Sequence, residues 1–221
     1  MSNVAAICQA NDIRCTFAVT TNKFNIQYSD KTRLQIYKEY QLLGYDIQSH
    51  SHTHGSYWYT GNTNYNLNSI REDIVNTFHA MVDNGFTPKC LIYPGGGGND
   101  ILSRLAVSQY FMCAFVAKHD IPTTPCKGNR YAIDRFFMQS SIDADKSKFM
   151  SYVNACKSSG RIPILASHSA VESWNNEWDD TYMSECIEYM LNEGYTFITA
   201  SQYYEIVRGL HNYLDIFNSL V

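Results

Sequence analysis

The sequence has 221 residues, a length that fits one large domain better than two small ones. A hydrophobic fraction of 45% is enough for a full core, and a net charge of −4 with scattered Lys and Arg argues against a nucleic-acid partner. No apolar stretch approaches the ~20 residues of a membrane span, and the N-terminus lacks the basic start and long apolar centre of a signal peptide.

Apolar runs and helical patterns alternate along the chain. Strands are predicted at 13–19, 45–49, 89–94, 111–117, 132–138, 162–167 and 195–200. Helices are predicted at 29–44, with Ser29 or Asp30 as its cap, at 67–85, with Ile70, Ile74, Phe78 and Met81 on one stripe, and at 179–194. This order predicts a parallel sheet with helices outside, either open or closed into a barrel, and one domain over residues 1–221.

Seven cysteines are spread along the chain without a CxxC pair, which argues against a cysteine zinc site. Cys15, Cys90 and Cys113 lie in apolar, strand-like runs, where a free cysteine behaves as a small hydrophobic residue. We therefore predict that most of the cysteines are buried thiols and not a disulfide framework.

Three polar or glycine-rich features follow predicted strands. His50, His52 and His54 follow the strand at 45–49, a run of four glycines begins at Gly95, and His168 follows the strand at 162–167. Because the chemistry of such folds lies at the carboxyl ends of the strands, these features are predicted to share one edge. This convergence disfavours the alternative that the histidines form a polar surface loop.

The histidine spacing predicts a partial metal site. In a helical turn at the strand end, His50 and His54 would project the same way and hold one divalent metal, while His52 would point elsewhere. Two nitrogens alone make a weak site, because a hydrolytic centre uses a third protein ligand, commonly a carboxylate.

The glycine run and His168 each allow two interpretations. The backbone N–H groups of Gly95–Gly98 suit an oxyanion hole, although a flexible connection is the alternative, and the GK[ST] ending of a phosphate loop is missing. His168 suits a general acid or base better than a structural histidine, because it is predicted at the same rim as the cluster.

These residues carry a resemblance to the polysaccharide deacetylases, the family 4 carbohydrate esterases. "GYDIQSHSHTH" resembles the family's second motif, "CLIYPGGG" its third, "ILASHS" its fifth, and "LNEGYTFITA" its usual ending, in order over nearly the whole chain. The resemblance implies a distorted (β/α) barrel and removal of acetyl groups from N- or O-acetylated polysaccharide or oligosaccharide.

The resemblance also implies roles for individual residues. His50 and His54 would bind a divalent metal, zinc most often, the backbone of Gly95 would form the oxyanion hole, and His168 would be the general acid. Tyr93 and Arg135 fall where substrate contacts would be expected.

The sequence departs from the family at the first motif. "TFDDG", which supplies the Asp base and an Asp metal ligand, has no counterpart, Met1 falls where the family is already in the following helix, and Ile92 replaces the Arg of the third motif. We therefore expect the fold, a partial metal site and little turnover. The chain would be either a piece of a longer enzyme or a non-catalytic carbohydrate-binding or scaffold relative.

Without a first strand, two predicted strands would each lose a neighbour. The runs at 13–19 and 195–200 are apolar and contain no proline, so neither is a protected edge. We expect these two edges to close on each other or to pair with a second chain in a homodimer.

Overall fold

Helices and parallel strands alternate along the first half of the chain. The structure is a computed structural model that describes residues 3–58, 64–98, 100–117, 129–138, 146–168, 180–206 and 208–209. The helices are α1 (Asn3–Ala10), α2 (Arg33–Leu42), α3 (Leu67–Asp83), α4 (Ile101–Ser108), α5 (Ser147–Ser158) and α6 (Asp180–Asn192), and residues 200–206 are also helical. The strands are β1 (Thr16–Val19), β2 (Gln27–Tyr28), β3 (Lys31–Thr32), β4 (Asp46–Ser49), β5 (Cys90–Ile92), β6 (Cys113–Val116), β7 (Ile133–Asp134), β8 (Phe136–Phe137) and β9 (Leu165–Ala166).

The described residues form two compact units. The sheet unit contains described residues within 16–117, 129–133 and 199–209, and the second unit contains those within 3–15, 134–138, 146–168 and 180–198. The single domain over residues 1–221 stays a prediction.

The main sheet has the strand order β1-β4-β5-β6-β7, and the pairs β1/β4, β4/β5 and β5/β6 are parallel. Ser49 near the end of β4 aligns with Val19 of β1 and with Leu91 of β5. Because the carboxyl ends of parallel strands share one edge, the segments that follow β4 and β5 leave the sheet side by side. This confirms the predicted parallel sheet and places His50 and the glycine run at the same edge.

A buried cluster fixes α3 and α4 to the sheet. It includes Ile70 and Ile74 of α3, Val107 of α4, Leu91 of β5 and Val116 of β6, each at most 1% exposed. Full burial of such a side chain contributes about 1.5–3 kcal/mol relative to exposure. Burial of these side chains therefore stabilises the packing of α3 and α4 on the sheet.

Helix α2 begins later than predicted. A short antiparallel pair, β2 with β3, occupies the residues before it, and Ser29 at the turn has φ 58°. The cap is Thr32 and not Ser29 or Asp30, because Thr32 and Gln35 form a reciprocal capping box. The prediction of a helix in this region is confirmed, but its start is wrong.

The apolar run at 132–138 is not one strand. It divides at Arg135 into β7, which joins the main sheet, and β8, which pairs in parallel with β9. Phe136 aligns with Leu165, and Phe137 aligns with Ala166.

The strand predicted at 195–200 is wrong. Residues 195–199 have no regular structure, and a helix begins at residue 200. Thr199 starts this helix with a capping box, because its Oγ1 accepts from Gln202 N at 3.3 Å and its own N–H donates to Gln202 Oε1 at 2.8 Å. The predicted pairing of two exposed strand edges therefore fails on one side, and the homodimer stays a prediction.

A polar cluster at the amino end of β4 holds the helix that begins at residue 200. One carboxylate oxygen of Asp46 accepts from Thr16 Oγ1 at 2.9 Å and from Ser201 N at 3.1 Å. The other accepts from Gln48 Nε2 at 2.7 Å and from Ser201 Oγ at 2.9 Å. Gln48 is buried, and its Oε1 accepts from the backbone N–H groups of Lys89 and Cys90, both at 2.8 Å. A carboxylate at a helix amino terminus is also favoured by the helix dipole.

Replacing Asp46 with Ala should lower the free energy of unfolding by about 2–4 kcal/mol, because four donors lose a charged acceptor at once. Urea unfolding followed by circular dichroism measures this. Asp30→Ala, at an exposed turn residue, is the matched control and should change stability by less than about 0.5 kcal/mol. Equal effects of the two variants would contradict the role assigned to Asp46.

In the second unit, α5 packs beside the β8/β9 pair. Phe136 stacks on Tyr152 with ring centroids 4.8 Å apart and lies edge-on to Phe149 at 6.1 Å. The hydroxyl of Tyr152 also accepts from Ile164 N at 2.9 Å, immediately before β9. Helix α1 packs against α6 in the same unit.

The cysteines in the described residues are free thiols, as predicted, and five of them are buried: Cys8, Cys90, Cys113, Cys156 and Cys186. Cys15 is partly buried, and Cys126 lies outside the described residues. Within the described ranges, no helix has the length and apolarity needed to cross a membrane.

Candidate metal and catalytic site

His50 and His54 lie together at the carboxyl end of β4. Their ring centroids are 4.9 Å apart, with the ring planes inclined at 68°. The backbone N–H of His50 donates to Val19 O at 2.8 Å, which extends the β1/β4 pairing by one residue. The structure therefore brings together the two histidines that were predicted to form a metal pair.

The tautomer of His50 follows from its partner. Nδ1 lies 2.7 Å from the carbonyl oxygen of Ile92 at the end of β5. A carbonyl can only accept, so Nδ1 carries a proton, and in the neutral ring Nε2 then carries the lone pair. Proteins commonly orient a metal-binding imidazole in this way, with the nitrogen that does not bind the metal bonded to a carbonyl oxygen or a carboxylate.

The histidine loop, residues 50–58, is not the helical turn that was predicted. Ser51 has φ 72° and His54 has φ 57°, so two residues other than glycine take the left-handed conformation. The N–H of His54 donates to Ser51 Oγ at 2.9 Å, which closes the turn by a side chain instead of a helical backbone bond. His50 and His54 therefore lie close together, as their i, i+4 spacing predicted, but a left-handed turn and not a helical turn brings them together.

His52 takes part in a separate network. Its Nδ1 lies 2.9 Å from Thr21 Oγ1, and its backbone N–H donates to Asp73 Oδ1 at 2.5 Å. This placement agrees with the prediction that His52 does not share the site of the other two histidines.

The glycine run follows β5 beside this loop. Pro94–Gly96 form one 3₁₀ turn, in which the exposed Gly95 has φ 52° and ψ 29°. A Cβ at Gly97 would lie 2.9 Å from Trp58 O, so this glycine permits close packing on the histidine loop. The glycine run therefore has a defined turn conformation that packs on the histidine loop.

Asp100 ends the run and caps α4. Its Oδ1 accepts from Ser103 N at 2.8 Å and from the hydroxyl of Tyr65 at 2.9 Å. Burial of Asp100 raises the pKa of its carboxyl, but the hydrogen bonds from Ser103 and Tyr65 outweigh burial and hold the pKa below its usual value.

Tyr93 belongs to the core. Its side chain is 0% exposed, lies edge-on to Trp58 at 5.8 Å, and donates its hydroxyl hydrogen to Tyr131 O at 3.2 Å. This packing favours a structural role over the substrate contact that was predicted for Tyr93.

Arg135 and His168 lie in the second unit. Both contact Phe137: the guanidinium carbon of Arg135 is 5.0 Å from the ring centroid, and the imidazole of His168 stacks on the ring at 5.1 Å. Burial lowers the pKa of Arg135 to about 10, which leaves the side chain protonated at neutral pH. His168 is exposed and lies two residues after the end of β9, close to the strand end at which it was predicted.

The first half of the chain matches a known protein family. The family model described as polysaccharide deacetylase matches residues 1–112, a region that contains the histidine loop and the glycine run. The chain belongs to the polysaccharide deacetylase family. No match was found among curated protein sequences.

Solved structures of deacetylases share the fold. The Xyl-CE4 domain of a multidomain xylanase from the hindgut metagenome of Trinervitermes trinervoides has a TM-score of 0.58 at 20% identity, over 92% of this chain and 82% of that one. A mutant of the peptidoglycan deacetylase PdaC from Bacillus subtilis gives 0.56 at 19%, over 99% and 89%. The family 4 carbohydrate esterase from Streptomyces lividans, in complex with acetate, gives 0.56 at 15%, over 87% and 81%. With the parallel sheet described above, these similarities confirm the fold class predicted for this deacetylase-family chain, a distorted (β/α) barrel.

The donor set of this deacetylase-family chain is incomplete within the described residues. There, no group of three or more His, Cys, Asp or Glu side chains could hold a metal ion. His50 and His54 fit the nitrogen ligands that zinc accepts, but a site of useful affinity has a third protein ligand.

Asp73, which bonds to the histidine loop from helix α3, is the residue that sequence reasoning missed. It lies on α3, is 3% exposed, and bonds to the loop at four points. The signal was present, because Asp73 falls on the same buried stripe as Ile70 and Ile74. A carboxylate on an otherwise apolar helix face needs hydrogen-bond donors, and here the neighbouring loop supplies them.

Gly98→Ala should destabilise the deacetylase fold by about 2–4 kcal/mol. Gly98 has φ +82°, which costs a side chain about 1–2 kcal/mol, and an added Cβ would lie 2.5 Å from the buried ring of Tyr93. Gly194→Ala is the matched control, because Gly194 has φ +81° and no atom within 4 Å of an added Cβ. Thermal unfolding should show a larger loss for Gly98→Ala, and equal losses would mean that the Tyr93 contact is unimportant.

Proposed function

We propose that this chain carries a metal-dependent site for removing acetyl groups from N- or O-acetylated polysaccharide, built on His50 and His54. The observation that supports the proposal is the bond from Nδ1–H of His50 to Ile92 O, which would orient Nε2 for coordination, with the ring of His54 4.9 Å away.

Other residues of the chain would act on the acetyl group and the sugar. The exposed Gly95 would donate its backbone N–H to the oxygen that becomes negative as water adds to the acetyl carbon. His168 would give a proton to the departing sugar nitrogen or oxygen, and the proton lost by the attacking water would pass to solvent, so that acetate and a neutral amino or hydroxyl group result. Arg135, protonated beside Phe137, would contact polar groups of the polysaccharide.

A bound divalent cation, of which zinc best suits imidazole ligands, would supply Lewis-acid polarisation of the acetyl oxygen and a more acidic water. His50 and His54 would hold it. We further propose that the chain as given binds metal weakly and turns over slowly. The sequence has no counterpart of "TFDDG", and Ile92 stands where the family has an Arg.

A second candidate function is carbohydrate binding without catalysis. The observation that favours it is the lack, among the described residues, of a third metal-binding side chain near the histidine pair. In this case the exposed edge of the sheet would still hold acetylated sugar, but no acetate would be released.

Acetate release separates the two functions. The chain is incubated with acetylated chitooligosaccharides and acetylated xylan, with zinc or cobalt added, beside a His50→Ala/His54→Ala variant. Metal-stimulated release that the variant lacks supports the deacetylase. Sugar binding by calorimetry that is equal in both proteins, without release from either, supports the binding function instead.

A further inference from the structure

The carboxylate of Asp73 collects four hydrogen bonds from the histidine loop. Oδ1 accepts from the backbone N–H groups of His52 at 2.5 Å and Thr53 at 3.0 Å. Oδ2 accepts from the hydroxyl of Tyr57 at 2.9 Å and from Nε1–H of Trp58 at 2.7 Å. Bonds to an ionised acceptor are stronger than neutral ones, so one side chain ties together two separate parts of the loop.

The four donors lie on both sides of His54. Two precede it directly and two follow it by three and four positions. His50 is fixed by other means, since its N–H bonds to Val19 O and its Nδ1–H bonds to Ile92 O, both on the sheet. The two proposed metal ligands are thus held by different supports, the sheet for His50 and helix α3 for the segments around His54.

The backbone of His54 needs such support. Its φ of 57° and the 72° of Ser51 place two residues with side chains in the left-handed region, at a cost of about 1–2 kcal/mol each. Residues keep such conformations only where the surroundings fix them. Without Asp73, the loop would lose the four bonds that tie it to this side chain of helix α3. It would keep bonds elsewhere, among them those from His54 N to Ser51 Oγ, from Ser51 N to Ser49 Oγ and from Asn66 N to Tyr57 O.

We propose that Asp73 is a positioning residue that holds His54 at coordinating distance from His50, so that the two imidazoles act as one divalent-metal site. The proposal rests on the metal-binding role of the histidine pair proposed above. Asp73 would not touch the metal, because all four of its described bonds go to the loop.

A double-mutant cycle tests this role. Asp73→Asn keeps the size of the side chain, removes its charge, and turns an NH₂ group toward a loop donor such as Trp58 Nε1. Zinc calorimetry should show ~10–100-fold weaker binding, the usual loss when the support of a metal ligand is removed. In a His54→Ala background, Asp73→Asn should have almost no further effect, because the ligand that it positions is gone. Equal losses in both backgrounds would overturn the proposal and indicate a general structural role.

Imidazole NMR of the metal-free protein gives a second readout. Asp73→Asn should shift the ring signals of His54 and leave the Nδ1–H form of His50 unchanged. Asp83→Asn, at the exposed end of the same helix, should change neither the signals nor zinc binding. Unchanged His54 signals in Asp73→Asn would overturn the proposal whether or not zinc binds.

The outcomes also separate this inference from the proposed function. If zinc binds wild type and the His50→Ala/His54→Ala variant equally, the metal site itself is wrong, and the NMR comparison still decides whether Asp73 positions His54. If that variant loses binding while Asp73→Asn keeps it, the metal site stands and Asp73 is not its positioning residue. Melting curves of each variant exclude unfolding as the cause. Asp73→Glu, which keeps the carboxylate, should bind zinc more tightly than Asp73→Asn does.

Discussion

Alanine at position 168 should lower the rate of acetate release by ~10²–10⁴-fold while the melting temperature barely changes. The rate should fall because the departing sugar group would leave without a proton. The melting temperature should barely change because His168 is exposed and its stack on Phe137 is a type of contact that contributes about 0.5–1.5 kcal/mol. Turnover is measured at saturating metal in a preparation with detectable activity, beside thermal unfolding.

The leaving group provides the control for this result. The aryloxide of an aryl acetate leaves without needing a proton. His168→Ala should therefore slow the hydrolysis of an aryl acetate far less than it slows acetate release from an acetylated sugar. Phe137→Leu removes the ring stack but keeps the imidazole, and should have an intermediate effect on turnover. A large fall in melting temperature with turnover preserved would make His168 a structural residue.

The second large effect is expected for zinc affinity. His50→Ala/His54→Ala should weaken zinc binding by at least ~100-fold, because the change removes both proposed nitrogen ligands, and removal of a supporting residue already costs about 10–100-fold. Calorimetry in a buffer that does not chelate zinc measures this, and each single variant should lie between wild type and the double variant.

His52→Ala is the matched control for the metal experiment. His52 belongs to the same loop, but its Nδ1 lies 2.9 Å from Thr21 Oγ1, and His52→Ala keeps the backbone N–H that donates to Asp73. Its loss should therefore change zinc affinity by less than about threefold. Loss of zinc binding in His52→Ala alone would show that the pair is wrongly assigned.

The sequence was most informative where periodicity and burial agree. The strands at 46–49 and 90–92 and the long helix α3 lie where alternation and the apolar stripe predicted them. The strand predicted at 195–200 failed because its apolar residues concealed a local signal, the Thr199 and Gln202 capping box, that starts a helix there. Short apolar runs do not distinguish strand from helix, whereas a cap does.

The candidate site was predictable in its residues but not in its geometry. The spacing of His50 and His54 identified the pair, yet the left-handed conformations of Ser51 and His54 accompany bonds from the loop to the side chains of Ser51 and of Asp73 on α3. Such bonds form only after the loop meets α3, so local sequence cannot reveal them. The strand-end position of His168 was predictable, whereas its stack on Phe137 required the pairing of β8 with β9.

The bond between Asp46 and Ser201 has a consequence for the order of folding. These residues are 155 positions apart, so their contact closes one of the longest loops of the chain and is expected late in folding. At a synthesis rate of ~5–20 residues per second, the ribosome would need ~8–30 s to supply Ser201 after Asp46. During this interval β1, β4 and β5 would be able to pair. The carboxylate of Asp46 would then be hydrogen-bonded to water instead of to Ser201 at the start of the last described helix. The nascent sheet would therefore stay reversible until the last described helix docks on it.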